Sequence, residues 1–225
     1  MNNKIFAELQ SLIMQSPQLL DDNSAMEQAV AVTFGVVVDV TADMNLISLT
    51  DTIDEAVLSN YFSTVWQPKT KKYKYSGLGI VDEIKALTPE HVLDLGCGYN
   101  EFKGKINNLI GVDAYNNRAD INCHILDYNP TTKFDAVICL GSINFGTVDK
   151  IYNELKKAVS LTKTGGFLFF RANPGRQHDA PESQWIDFFD WNPSFILNVS
   201  NQLNCEVVAL TEDGGNRLYF VLKAK

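Results

Sequence analysis

Paired cysteines are missing from this chain of 225 residues. Its four cysteines (Cys97, Cys123, Cys139, Cys205) lie far apart without a Cys-x-x-Cys spacing, which removes a zinc knuckle or a disulfide framework as the organising device. Histidine is equally scarce: His91, His124 and His178 are the only three, and they complete no metal-ligand spacing. No apolar run approaches the roughly 20 residues of a membrane-spanning helix, and MNNKIFAELQ lacks the apolar core of a signal peptide. The expectation is a cytoplasmic protein with no membrane partner. Basic residues are outnumbered, 19 Lys and Arg against 27 Asp and Glu, for a net charge of −8. Nucleic acid is therefore disfavoured as a partner, because phosphate needs positive charge opposite it. One local exception exists, Lys69, Lys71, Lys72 and Lys74 crowded around Tyr73 and Tyr75, and a solvated linker face explains it more plainly.

What is present is enough apolar sequence for a core: hydrophobic residues make up 45% and charged residues 20%, which fits a globular domain and not a disordered chain. The division read from the pattern is a mainly helical extension or lid at 1–66, a linker at 67–79 and a single α/β domain at 80–225.

That domain is organised around His91-Val-Leu-Asp-Leu-Gly-Cys-Gly-Tyr-Asn-Glu101. Val92 to Leu95 reads as a short buried strand broken only by Asp94. Gly96 and Gly98 then turn the chain where side chains would keep a ligand away. A second apolar run, Leu109 to Val112, ends in Asp113. A strand, a glycine turn and an acid at the tip of the next strand suit a nucleoside, the acid accepting from ribose hydroxyls. A dinucleotide site would need a third glycine at a helix N-terminus. Here Asn100 and the acid Glu101 follow instead, which points to a nucleoside without phosphates.

VLDLGCGYNEF resembles the first motif of the class I S-adenosylmethionine-dependent methyltransferases, and LIGVDAY resembles the second; the resemblance covers roughly residues 78 to 225. It implies a Rossmann-like, mostly parallel sheet of seven strands with an antiparallel C-terminal hairpin, and S-adenosyl-L-methionine as cofactor. It further implies cofactor contacts from Asp94, Gly96, Cys97, Gly98, Asp113, Ala114, Asp127, Tyr128, Leu140 and Gly141, with Asp113 on the ribose, Asp127 on the adenine amino group, and Leu140 and Gly141 near the sulfonium. Each acid also reads as an ordinary turn or capping residue. The implied activity is methyl transfer to an unidentified acceptor, a small molecule or protein side chain before DNA. A catalytically silent cofactor-binding module is the alternative, and a dehydrogenase is disfavoured by the terminal hairpin. No residue is assigned as catalytic. Asn144 and Phe145 would face the methyl group, and His178, with Arg176 and Asp179 beside it, is a candidate base against the plainer reading of a surface loop.

Other expectations are more local. Helices are expected after Asn23 or Ser24, from Thr50 or Asp51, over Leu78 to Leu87, after Thr147, and from Asn192-Pro193. Thr33 to Val40 is open between strand and helix. Cys123 to Leu126 is expected as the third strand and Phe167 to Phe170 as the fifth. At most seven residues (101–107) are left for a helix between the first two strands, and none is patterned between Asp113 and Cys123, although parallel strands normally need about a dozen residues of crossover. One sheet face is therefore expected to lack helix cover, to be buried by the N-terminal helices or by a second subunit of a homodimer. Tyr75 and Gly77 are expected either to reach the cofactor's methionine end or to be plain linker. Trp185, Phe188, Phe189 and Trp191 form either a substrate wall or a helix packed on the core.

Overall fold

Val92–Leu95, strand β1, is buried along its whole length, as a strand covered on both faces must be. The computed structural model describes residues 1–66, 78–175, 180–213 and 217–225. The expectations on the lysine–tyrosine patch, on Tyr75 and Gly77, and on Arg176, His178 and Asp179 lie outside those residues. The chain divides into two compact units, Met1–Trp66 with Gln177–Phe188, and Gln67–Arg176 with Phe189–Lys225.

The second unit is built on a mixed sheet of six strands: β1, β2 (Leu109–Val112), β3 (Phe134–Leu140), β4 (Thr162–Ala172), β5 (Cys205–Asp213) and β6 (Arg217–Ala224). Their order is β2-β1-β3-β4-β6-β5. The first four run parallel, and β6 pairs antiparallel with both β4 and β5. Seven strands were expected and six are found among the described residues. The missing one is Cys123 to Leu126, which forms a single 3-10 turn at Ile125–Asp127 instead.

The reason lies on the outer edge of β2, where a third strand would bond. Lys103 Nζ donates to the Leu109 carbonyl at 2.9 Å, and the Asp120 carboxylate accepts the Gly111 N–H at 2.8 Å. The Gly111 carbonyl accepts Asp120 N–H and Ile121 N–H, at 2.9 and 3.2 Å. Lys103 and Asp120 close the arrangement as an ion pair at 2.8 Å. The edge is thus capped by its own connections, and all that remains of the ladder is one parallel bridge between Val112 and Ile121. Cys123 and Ile125 are buried as their apolar character requires, but against the core and not within a ladder.

The connection from β1 to β2 contains no helix either. Asn100, Gly104 and Asn108 all take left-handed φ, 55°, 76° and 54°, which breaks any helical run between them. Three α-helices accompany the sheet. Ile80–Ala86 (α4) covers one face, with Ile80, Val81 and Ile84 packed on Val92, Ala136, Ile138 and Phe169. Val148–Leu161 (α5), capped by the Thr147 side chain, and Pro193–Gln202 (α6), capped by Asn192, carry residues of the larger cluster on the other face. The glycines Gly165-Gly166 do not stop α5 as expected. It ends at Leu161 and the chain enters β4 at once.

In the first unit, α1 (Asn3–Gln15) is capped by Asn2 and ends before Pro17. α2 (Asn23–Phe34) is capped by Asp22 and closed by Gly35 at φ 71°. That glycine splits the β-branched run: Thr33 and Phe34 are helical, while 36–40 is extended but unpaired. α3 (Leu46–Asn60) starts earlier than Thr50 because Asn45 and Ser48 form a capping box. The segment Gln177–Phe188 completes this unit. Asn2 Nδ2 donates to Asp54 Oδ1 at 2.8 Å and to the Trp185 carbonyl at 2.7 Å, Lys4 Nζ donates to the Ile186 carbonyl, and the Trp185 ring meets Phe34 edge-on at 4.8 Å.

Candidate functional site

At the carboxyl end of β1 the chain reverses through Gly96 (φ 71°) and Gly98 (φ 52°), conformations that a side chain would strain. Gly96 N–H and Cys97 N–H both donate to the Val112 carbonyl, at 2.7 and 3.0 Å, which ties the turn to the tip of β2. Asp113 adds a second tie. Its Oδ2 accepts Gly98 N–H at 2.8 Å, and its Oδ1 accepts Tyr115 N–H and Asn116 N–H, both at 2.9 Å. A carboxylate offers about four acceptor positions, so the expected ribose acid is already engaged at three of them. Ala114 follows it, half-buried.

Gly96 has a different reason than the sequence suggests. A side chain there would begin 2.2 Å from Ser142 Cβ, so the glycine is needed for the loop after β3 to pack on the turn. Ser142 Oγ is buried with no hydrogen-bond partner. Within that loop Gly141 has φ 87°, Leu140 and Gly141 are half-buried, and Asn144 is only 2% exposed. Asn144 Oδ1 accepts Asn173 N–H at 2.9 Å, and its carbonyl accepts Phe189 N–H at 2.9 Å. Trp191 Nε1 donates to the Ile143 carbonyl at 3.1 Å. The loop is therefore clamped from β4 and from the segment before α6.

The electrostatics of the turn are those of crowded acids. Asp94 is 3% exposed; burial, and then the charge of Asp113, push its carboxyl up to about 8. Burial first, then Asp94, Asp113 and Asp120, push the Cys97 thiol far above its usual range. A thiol so held keeps its proton and is no nucleophile.

Asp94, Gly96, Cys97, Gly98, Asp113, Ala114, Leu140 and Gly141 are thus brought to one end of the sheet. Asp127 and Tyr128 are not. With no third strand to carry them there, they line an open groove of about 550 Å³ whose walls include His91 and Phe134, residues at the amino ends of β1 and β3. Tyr128 is also part of the core. The aromatic insertion forms no helix between Gln184 and Asn192. Trp185 belongs to the first unit, while Trp191 is 1% exposed and packs on Phe195 and Phe220. Sequence reasoning missed Ser142, Arg217 and the positioning part of Asn173. Only Ser142, directly after a glycine at a strand end, carried a local signal.

No family model and no curated relative matches the sequence. Solved structures do match the fold. A Burkholderia thailandensis 1,6-didemethyltoxoflavin-N1-methyltransferase, with S-adenosylhomocysteine bound, aligns with TM-score 0.59 at 14% identity over 76% of this chain and 88% of that one. The magnesium protoporphyrin IX methyltransferase of Synechocystis PCC 6803 aligns with TM-score 0.59 at 12% identity, over 76% of this chain and 100% of that one. CalS10, an amino pentose methyltransferase from Micromonospora echinaspora, aligns with TM-score 0.53 at 18% identity, over 71% and 98%. This is the class I methyltransferase fold. Within the methyltransferase fold the chain's own marks are the capped β2 edge and the crossovers without helices on either side of it. No helix among the described residues is long and apolar enough to cross a membrane.

Proposed function

We propose that the second unit binds S-adenosylmethionine at the carboxyl ends of β1, β2 and β3 and directs methyl transfer to an acceptor. One observation carries the reading: a single glycine turn touches the Asp113 carboxylate through Gly98 and the partnerless Ser142 hydroxyl through Gly96. A buried hydroxyl without a partner is costly, and a polar ligand in this place would supply one. The residues fit the cofactor. Asp113 has an acceptor position left for a ribose hydroxyl, the backbone of Gly96 to Gly98 can lie along the nucleoside, and Leu140 to Ser142 would meet the amino-acid end. Asp94, facing the same turn, would be drawn into its charged form by a cationic ligand.

The cofactor supplies an electrophilic methyl group on a sulfonium. The protein's part is positioning, which can supply most of the rate for in-line displacement. The clamped loop at Ile143 and Asn144 fixes the wall on which an acceptor would rest. A general base is needed only where the acceptor atom carries a proton; Asp94, which holds its own proton up to about 8, does not suit that task at neutral pH. The adenine role implied for Asp127 is not retained. The proposed enzymatic domain is 80–225, with Gln177–Phe188 excursing into the other unit.

Calorimetry with S-adenosylhomocysteine and NAD tests the reading. Binding of the former alone supports it, and binding of NAD alone overturns it. Release of S-adenosylhomocysteine from S-adenosylmethionine in the presence of candidate acceptors then separates turnover from silent binding.

A further inference from the structure

Gly141 leaves an opening in the wall of this site. The two heavy atoms nearest the point where a side chain would start are Asn144 Nδ2, at 3.7 Å, and Arg217 Nη1, at 3.8 Å. Both atoms can only donate hydrogen bonds. The orientation of Asn144 is fixed from behind, because its Oδ1 must face the Asn173 N–H that it accepts. Its amide nitrogen is thereby aimed at the opening.

Arg217 reaches the same place through the topology. It is the first residue of β6, and β6 runs antiparallel to β4, so the start of one strand lies at the carboxyl end of the other, just past the Ala172–Leu218 pair. Arg171 lies beside it on β4, in register with Leu140 on one side and Tyr219 on the other. The acids on this face are Glu83, which accepts the Tyr219 hydroxyl at 2.8 Å, and the buried Asp94. A chain with a net charge of −8 therefore places two of its arginines at the mouth of the proposed methyl-donor site. An amide donor and a guanidinium converging on a space the size of one absent side chain suit a planar, two-oxygen anion.

We propose that Asn144 and Arg217 together hold a carboxylate over Gly141, beside the place of methyl transfer. This rests on the reading of the site given above and narrows it. The carboxylate has two sources: the amino-acid end of the cofactor, or an acid group of the acceptor, which would make the acceptor a carboxylic acid.

The test is calorimetry on wild type, Arg217→Gln, Arg217→Lys and Asn144→Asp, with thermal melting to confirm that each is folded. Three probes are titrated: S-adenosylhomocysteine, decarboxylated S-adenosylmethionine and benzoate. Losing one charged hydrogen bond weakens binding about 10-fold or more. Arg217→Gln should show that loss for at least one carboxylate probe and leave the decarboxylated compound within about twofold, a change worth little free energy. Arg217→Lys, which keeps the charge and loses the fork, should fall between. Asn144→Asp keeps the acceptor for Asn173 but turns a negative edge toward the opening, so it should reproduce the Arg217→Gln loss. A loss confined to S-adenosylhomocysteine assigns the carboxylate to the cofactor, and a loss confined to benzoate assigns it to the acceptor. Unchanged affinity for both carboxylates in Arg217→Gln overturns the proposal, as does equal loss of the decarboxylated compound. Wild-type protein that binds neither S-adenosyl compound defeats the cofactor reading instead, and the benzoate titration then judges the donor pair alone.

Discussion

Asp113 is the residue on which binding and stability meet. Its carboxylate accepts three backbone N–H groups before any ligand arrives, so only about one acceptor position remains. Asp113→Ala is expected to weaken S-adenosylhomocysteine binding roughly 10- to 100-fold, the worth of one charged hydrogen bond. It should also cost about 1–3 kcal/mol of folding stability, because the glycine turn loses its tie to β2. Calorimetry and urea unfolding on the same samples check both, and full stability in the variant would contradict the geometry. Asp94 gives a pH signature. A carboxyl whose folded pKa is raised to about 8 binds more protons folded than unfolded. Its contribution is fully present below its unfolded value of about 4 and is lost as the pH rises to about 8. Asp94→Asn should therefore match wild type near pH 4 and exceed it at pH 9, by up to about 5 kcal/mol as an upper bound. Urea midpoints across that range decide it; parallel curves for the two proteins would show that Asp94 is ionised throughout.

Among the elements, β2 is the one whose surroundings the sequence hid. The strands themselves were legible because apolar runs bounded by glycine or an acid are local signals, as at Val92 to Leu95 and Leu109 to Val112. So was the glycine-and-acid site, although the reason for Gly96 was not, since Ser142 approaches it from 46 positions away in the chain. The third strand misled for a related cause: Cys123 to Leu126 is apolar enough for a strand, but Lys103 and Asp120, distant in sequence, already hold the bonds it would need. Asp127 was displaced with it. If those two side chains seal the edge, removing them exposes unpaired backbone to other chains. The double variant Lys103→Ala with Asp120→Ala should scatter more light on concentration than wild type while melting only slightly earlier, because the ion pair itself is half-exposed and contributes little. A monodisperse double variant would show that the connections cap β2 without them.

The whole molecule consists of two units that share no simple division of the chain, since Gln177–Phe188 packs with residues 1–66. Trp185→Ala should lower stability by about 3–5 kcal/mol, typical of losing a packed tryptophan, and the loss should fall on the helical unit, where Trp185 meets Phe34. Hydrogen exchange would locate it: faster exchange in α1 and α2 with β1 to β4 unchanged is the expected pattern, and uniform acceleration would show that the two units unfold as one. The same excursion sets an order of events during synthesis. Asn2 finds its acceptor, the Trp185 carbonyl, 183 residues later. At ribosomal speeds of about 5–20 residues per second, the N-terminal helices emerge roughly ten seconds or more before that acceptor does. They wait through the making of most of the sheet, with the apolar faces of Ile5, Leu9 and Phe34 short of their closing partner. A protein built this way depends on its last third to finish its first, and a ribosome pause or a nonsense mutation ahead of residue 185 would leave a nascent chain whose N-terminus is a substrate for chaperones.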